Sequence, residues 1–239
     1  VVKSTDSPLE AAKRGKDTSM WLAIESVKKN ENDIVISAGS TTGTVSFTPS
    51  DDSVYEDDEA ATIAISSVSG GSATESGTQT VTITITDNES AGTVTLAVSA
   101  TSIAENAGSS LTLTATLSSV SDEDVTVSLS TSGTATEGTD YTDGSGNIDD
   151  ITISAGDTTG TVNFTPTDDS TYEGNETATI AISGVSGADA TESGSQSVSV
   201  TITENESAPT VTLTVSATSI AENAGSSITV TATLSGATD

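Results

Sequence analysis

The stretch DITISAGDTTGTVNFTPTDDSTYEGNE, residues 150–176, has a near-copy, DIVISAGSTTGTVSFTPSDDSVYEDDE, at residues 33–59. Both copies open with apolar residues at every second position and close in a run of acids. Extended outward from this pair, residues 33–122 align on 150–239 at a constant offset of 117 with no gap, and 67 of the 90 aligned positions are identical. A unit of that length suits a single sandwich domain better than a solenoid turn of roughly 20–50 residues. The organisation expected is therefore a non-repeat segment at 1–32, the C-terminal part of a module at 33–92, a complete module at 93–207, and the N-terminal part of a further module at 208–239.

Inside the complete module the apolar period is two, the period of a half-buried strand. Val94, Leu96 and Val98 alternate with Thr and Ala, as do Leu111, Leu113, Ala115 and Leu117, then Val125, Val127 and Leu129. Ile151 and Ile153, Val162 and Phe164, Ala178, Ile180 and Ile182, and Val198, Val200 and Ile202 continue the pattern, which makes about seven strands. The intervening positions are mostly Thr and Ser, which fit a pleated backbone yet stay soluble, and the joints are rich in Gly, Asp, Asn and Ser. One wet face per sheet calls for two sheets packed face to face. The fold class expected is all-β: tandem immunoglobulin-like antiparallel β-sandwich modules, without the disulfide and Trp of antibody domains. Residues 1–32 break the pattern. They are expected to be a loosely ordered junction or two short helices, with Trp21 and Ile24 on one side of the second.

Charge narrows the function. The formal net charge is −29, and all six cationic residues (Lys3, Lys13, Arg14, Lys16, Lys28, Lys29) precede position 30. Nucleic-acid binding relies on cationic side chains that release counterions, so no nucleic-acid partner is expected. The longest apolar run, Met20 to Ile24, is far short of the roughly 18 residues a spanning helix needs, so no membrane insertion is expected. No signal peptide is visible at Val1-Val2-Lys3. Cysteine is absent, which removes disulfides and thiolate sites. Without His or Cys, and with no Lys in the repeats, the usual nucleophile arrangements cannot be assembled there, and with so few aromatic platforms a carboxylate glycosidase has no cleft. No catalytic residue and no enzyme activity are expected.

The carboxylates carry what chemistry remains, and they gather in strand-end loops: Glu105, Asp140, Asp168, Asp169, Glu173, Glu176, Glu204 and Glu206 in the complete module. Acids clustered without a cationic side chain repel one another. A hard cation with six to eight oxygen ligands relieves that repulsion, and Ca²⁺ suits flexible loops better than Mg²⁺.

Four motifs occur in order: Glu105-Asn106 after the first strand, Gly-x-Asp-Tyr at 138–141, Ala155-Gly156 before a strand, and Asp-Asp-x-x-Tyr-Glu-x-x-Glu at 168–176. Together they resemble the Calx-β motif. That resemblance implies a β-sandwich with Ca²⁺ held at one end by Glu105, Asp140, Asp168, Asp169, Glu173 and Glu176. The family's closing aspartates are here Glu204-Asn205-Glu206, and Asp87-Asn88-Glu89 in the earlier copy. The upstream partial copy keeps Asp51, Asp52, Glu56 and Glu59 but has no counterpart of Glu105 or Asp140. The downstream one keeps only Glu222, so a complete site is expected once.

The function expected is a calcium-binding structural and adhesive repeat region of a large extracellular or cell-surface protein, with Ca²⁺ stiffening the array. Its partners would be calcium ions, neighbouring modules and a host or matrix surface ligand. Two alternatives stand beside it: a calcium-sensing regulatory domain of a membrane transporter or cell-communication protein, and an acidic spacer that binds no ion.

Overall fold

The computed structural model describes residues 34–223 and 225–238. The expectations for residues 1–32, including helices and the position of Trp21, fall outside these. In chain order the strands are β1 (Glu59–Ala64), β2 (Thr80–Ile85), β3 (Thr93–Val98), β4 (Ser102–Ala104), β5 (Leu111–Leu117), β6 (Val125–Gly133), β7 (Tyr141–Thr142) and β8 (Ile151–Ile153). They continue with β9 (Thr159–Pro166), β10 (Thr171–Tyr172), β11 (Glu176–Ser186), β12 (Thr191–Glu192), β13 (Ser197–Thr203), β14 (Val211–Val215), β15 (Val230–Leu234) and β16 (Ala237–Thr238). Among the described residues no helix is long and apolar enough to cross a membrane.

Two five-stranded sheets face each other between Thr93 and Thr203, one ordered β4-β13-β11-β6-β8 and the other β12-β3-β5-β9-β7. The seven alternating segments of the sequence are β3, β5, β6, β8, β9, β11 and β13. Their inward residues form the core: Val94, Leu113, Ala115, Val125, Val127, Phe164, Ala178, Ile180 and Val200 are all fully buried. Each such Val, Leu or Ile contributes roughly 1.5–3 kcal/mol relative to exposure. Two of the chain's six aromatics lie here, Tyr141 stacked on Phe164 at a centroid separation of 4.7 Å.

The expectation of purely antiparallel sheets holds for the long strands and fails at two edges, where β4 pairs in parallel with β13 and β12 with β3. The chain leaving β3 crosses to the other sheet within residues 99–101 and reaches β13 already running in its direction, so the pairing there is parallel. That crossover places Glu105 at the end of β4 beside the end of β13.

The flanking copies keep the register of the complete module. Glu59 pairs with Ile85 as Glu176 pairs with Ile202, and Val211 pairs with Leu234 as Val94 pairs with Leu117. These two hairpins are two-stranded sheets. Their apolar faces have little to pack on: Leu213 is 70% exposed, whereas its counterpart Leu96 is 7% exposed.

Candidate metal centre

The ends of β4, β9, β10, β11 and β13 and the loop before β7 bring acids to one end of the sandwich. Glu105 follows β4, Asp168 and Asp169 follow β9, Glu173 follows β10, Glu176 starts β11, and Glu204 and Glu206 follow β13. Asp140 precedes β7, on a loop that begins where β6 ends at Gly133. Gly133 has φ +132°, and a Cβ there would lie 2.0 Å from the Thr177 carbonyl oxygen, so only glycine permits the close pairing of β6 on β11 at the mouth of this loop. The loop is then closed on itself, since Asp140 Oδ2 accepts from the Thr136 amide at 2.5 Å and the Asp140 carbonyl accepts from the Thr167 amide at 2.9 Å.

Two groups of carboxylates result. Glu105, Glu204 and Glu206 form one, and Asp140, Glu173 and Glu176 form the other; within each, one oxygen per residue lies within 4.8 Å of the others. The protein environment sets the three acids of the first group differently. Glu204 accepts four backbone N–H bonds, from Glu173 at 2.6 Å and from Gly174, Asn205 and Glu206 at 2.9 Å each. These amides, that of Glu206 foremost, hold its carboxyl down at about 2. Glu206, lying against Glu204, is pushed up by that contact, then by burial and by the charges of Glu105, Glu204 and Asp168. Glu105 is buried, 6% exposed, and burial raises its carboxyl although the Asp169 amide donates to Oε1 at 3.2 Å; the charges of Glu204, Asp169 and Glu173 raise it further.

The donor set fits a hard cation. Glu206 Oε2 is buried and no protein donor reaches it. Against the Glu204 carboxylate it can share only a proton or a cation, and the described residues include no Lys or Arg to serve instead.

Of the residues the sequence singled out, Glu105, Asp140, Glu173, Glu176, Glu204 and Glu206 thus fall into two compact groups. Asp168 and Asp169 are exposed at their rim. Asp168 acts on Glu206 through its charge, and Asp169 spends Oδ1 on the Thr171 amide at 2.6 Å while its own amide holds Glu105. In the upstream copy Asp51, Asp52, Glu56, Glu59, Asp87 and Glu89 line one depression, with Glu56 only 6% exposed and its amide donating to Asp87 Oδ2 at 3.1 Å. Contact with Asp87, then burial and the charges of Asp87 and Asp51, raise the Glu89 carboxyl. Among the described residues this depression yields no carboxylate group as tight as the two in the complete module. Glu222 is exposed and belongs to neither group, because residues 219–221 form no counterpart of β4.

Sequence reasoning missed Asn175, whose Oδ1 accepts from the Glu204 amide at 3.0 Å and so helps fix the loop. Its signal was the Gly174-Asn175 turn between two acids, a pairing that favours tight loops. It also missed Asp57, which joins Asp51 and Asp52 at the upstream depression.

The amino-terminal part of the chain is similar to a different family. The model described as Fatty acid synthesis protein matches residues 1–66, overlapping the first repeat copy from Asp33. The phosphate acyltransferase of Pelagibacter ubique is 76% identical over 41 residues, and that of Bradyrhizobium diazoefficiens 54% identical over 41 residues. Each match covers 17% of this chain, which spans only 12% of the length of these curated relatives. Among solved structures, the apo form of the Calx CBD1 domain is 16% identical, with a TM-score of 0.38 over 48% of this chain and 99% of that one. The Calx-beta domain model matches residues 87–206, half of the 239 residues and the whole span that builds the two sheets and both carboxylate groups. On that match this chain belongs to the Calx-beta domain family.

Proposed function

We propose that the complete module is a calcium-binding structural unit, and that the chain is a non-catalytic part of a repeat array at an extracellular or cell surface, where bound Ca²⁺ stiffens the modules and adhesion to a host or matrix ligand is the purpose. The observation that supports this reading most directly is Glu206, whose Oε2 is buried with no protein donor and one of whose oxygens lies within 4.8 Å of Glu105 and Glu204 ligand atoms. A divalent cation there supplies the positive charge that the acids otherwise lack. The residues suited to hold it are Glu105, Glu204 and Glu206 in one group and Asp140, Glu173 and Glu176 in the other, with Asp168 and Asp169 at the rim. An oxygen-only donor set spread over several strand-end loops favours Ca²⁺ over Mg²⁺, and modules of extracellular type work at about 10⁻⁴–10⁻³ M.

Ca²⁺ that binds only the folded module stabilises it by about 2.7 kcal/mol at 100 times the dissociation constant. Thermal unfolding and limited proteolysis of the chain, with Ca²⁺ and with a chelator, test this. A raised Tm and slower cleavage with Ca²⁺ are expected. Equal Tm and equal resistance in both states would leave the ion-free acidic spacer as the better reading.

A further inference from the structure

Two contacts join different repeat copies and yet obey the 117-residue period. Tyr55 forms a parallel bridge with Ser121, and Tyr172 of β10 pairs in parallel with Thr238 of β16. Adding 117 to the first pair gives the second. A chance contact between neighbours has no reason to recur at the same two positions.

The Tyr55 amide donates to the Val120 carbonyl at 2.9 Å, and the Asp122 amide donates to the Tyr55 carbonyl at 3.2 Å. Tyr55 also packs on the hydrophobic core of the complete module, and its hydroxyl donates to Asp189 Oδ2 at 3.0 Å. The receiving surface is prefixed: Ser121 is buried, its carbonyl accepts from the Gly156 amide at 2.8 Å, and its Oγ accepts from the Glu123 amide at 3.1 Å. A short strand thus meets a rigid turn. Charges from both copies crowd the contact, where burial first and then Glu123, Asp57 and Asp87 raise the carboxyl of Asp122.

We propose that the segment Asp-Asp-Ser-x-Tyr is a directional joint, in which the tyrosine of each copy docks as a short parallel strand on the turn after the second long strand of the next copy. The partner it fits is therefore another copy of the same module, entering by its residues equivalent to 120–122. This deepens the proposed spacer function and rests on its repeat organisation, not on its cation. Successive side chains of an extended segment point to opposite sides. The tyrosine therefore grips the next module while the following glutamate, Glu56 or Glu173, turns toward its own module's acids. Joint and acidic pocket share one strand, which gives each module a fixed bearing on its successor.

The chain has no cysteine, so spin labels can be attached at cysteines introduced for Thr84 and Thr152, exposed positions on the two sides of the first joint. Pulsed dipolar spectroscopy on the full chain reads the distance distribution between them. A narrow distribution is expected, widening at least twofold in Tyr55→Ala and measurably in Asp189→Gly, which deletes the hydroxyl's acceptor at a left-handed position (φ +46°) that glycine tolerates. Hydrogen exchange in Glu59–Ile85 is expected to stay unchanged in both variants. Distributions in both variants as narrow as the unsubstituted chain's, or an unsubstituted chain already as broad as they are, would overturn the joint. Calorimetric titration with Ca²⁺ on the same samples separates the two ideas: a narrow distribution without Ca²⁺ heat sinks the calcium reading alone, and Ca²⁺ heat with a broad distribution sinks the joint alone.

Discussion

Glu204 and Glu206 are two residues apart, yet their surroundings favour opposite protonation states. Four amides point at Glu204 and keep it charged, whereas Glu206, through its contact with Glu204, and Glu105, through its burial and then the nearby carboxylate charges, are driven toward the neutral form. An anchored anion with two reluctant neighbours is a site that gains most when a cation arrives. Glu105→Gln should therefore act in two directions. Without metal it removes a buried charge while a side-chain oxygen remains to accept from the Asp169 amide, so Tm is expected to rise. With Ca²⁺ it removes a proposed ligand, so the Ca²⁺-induced rise in Tm is expected to shrink. Unfolding scans of both proteins in chelator and in Ca²⁺ measure the pair; a variant less stable than the parent in chelator would refute this electrostatic account.

At the scale of the elements, identical patterns have different worth according to what faces them. The β3–β5 and β14–β15 pairs share register, alternation and nearly all their sequence, but β3 and β5 lie under a second sheet while β14 and β15 belong to a two-stranded one. Leu96→Ala is expected to destabilise the chain by about 2–5 kcal/mol, the usual range for a buried leucine. Leu213→Ala, at the equivalent position 70% exposed, is expected to stay within about 0.5 kcal/mol. Chemical denaturation of the two variants compares them directly. The same contrast explains Glu105 and Glu222: the glutamate is buried only where β4 pairs with β13 beneath it.

Across the whole molecule the shifted acids act on stability in two directions. Glu105, Glu206, Glu89 and Asp122 have carboxyls raised above their ordinary values, so the folded state binds their protons more tightly than the unfolded one, and stability is lost as pH rises through the raised values. Glu204, held at about 2, works the other way: its stabilisation is present above its ordinary value near 4.5 and is lost as pH falls toward 2. In chelator, Tm should therefore fall as pH rises above the ordinary carboxylate range through the raised values, and Ca²⁺ bound in place of those protons should flatten the fall. Scanning calorimetry over a pH series, with and without Ca²⁺, checks both slopes. The period-two alternation determined the sandwich, its seven main strands and most of its core, because burial on one face of a pleated strand is a local property of the sequence, whereas Ile103, Ala135, Tyr141, Ala188 and Ala190 join the core from edge strands and loops. The loop acids were visible as candidates for the same reason. What only the tertiary structure decided is their partition into two groups, the four amides that single out Glu204, the parallel edge strands and the docking of Tyr55 on Ser121. Most of these depend on segments from about 30 to more than 100 residues apart meeting at one end of the sheets or the other, the acids where β9 and β13 end and Tyr55 at the opposite end between β5 and β6, and on backbone groups that every residue carries alike. No spacing along the chain records which amide will point at which carboxylate.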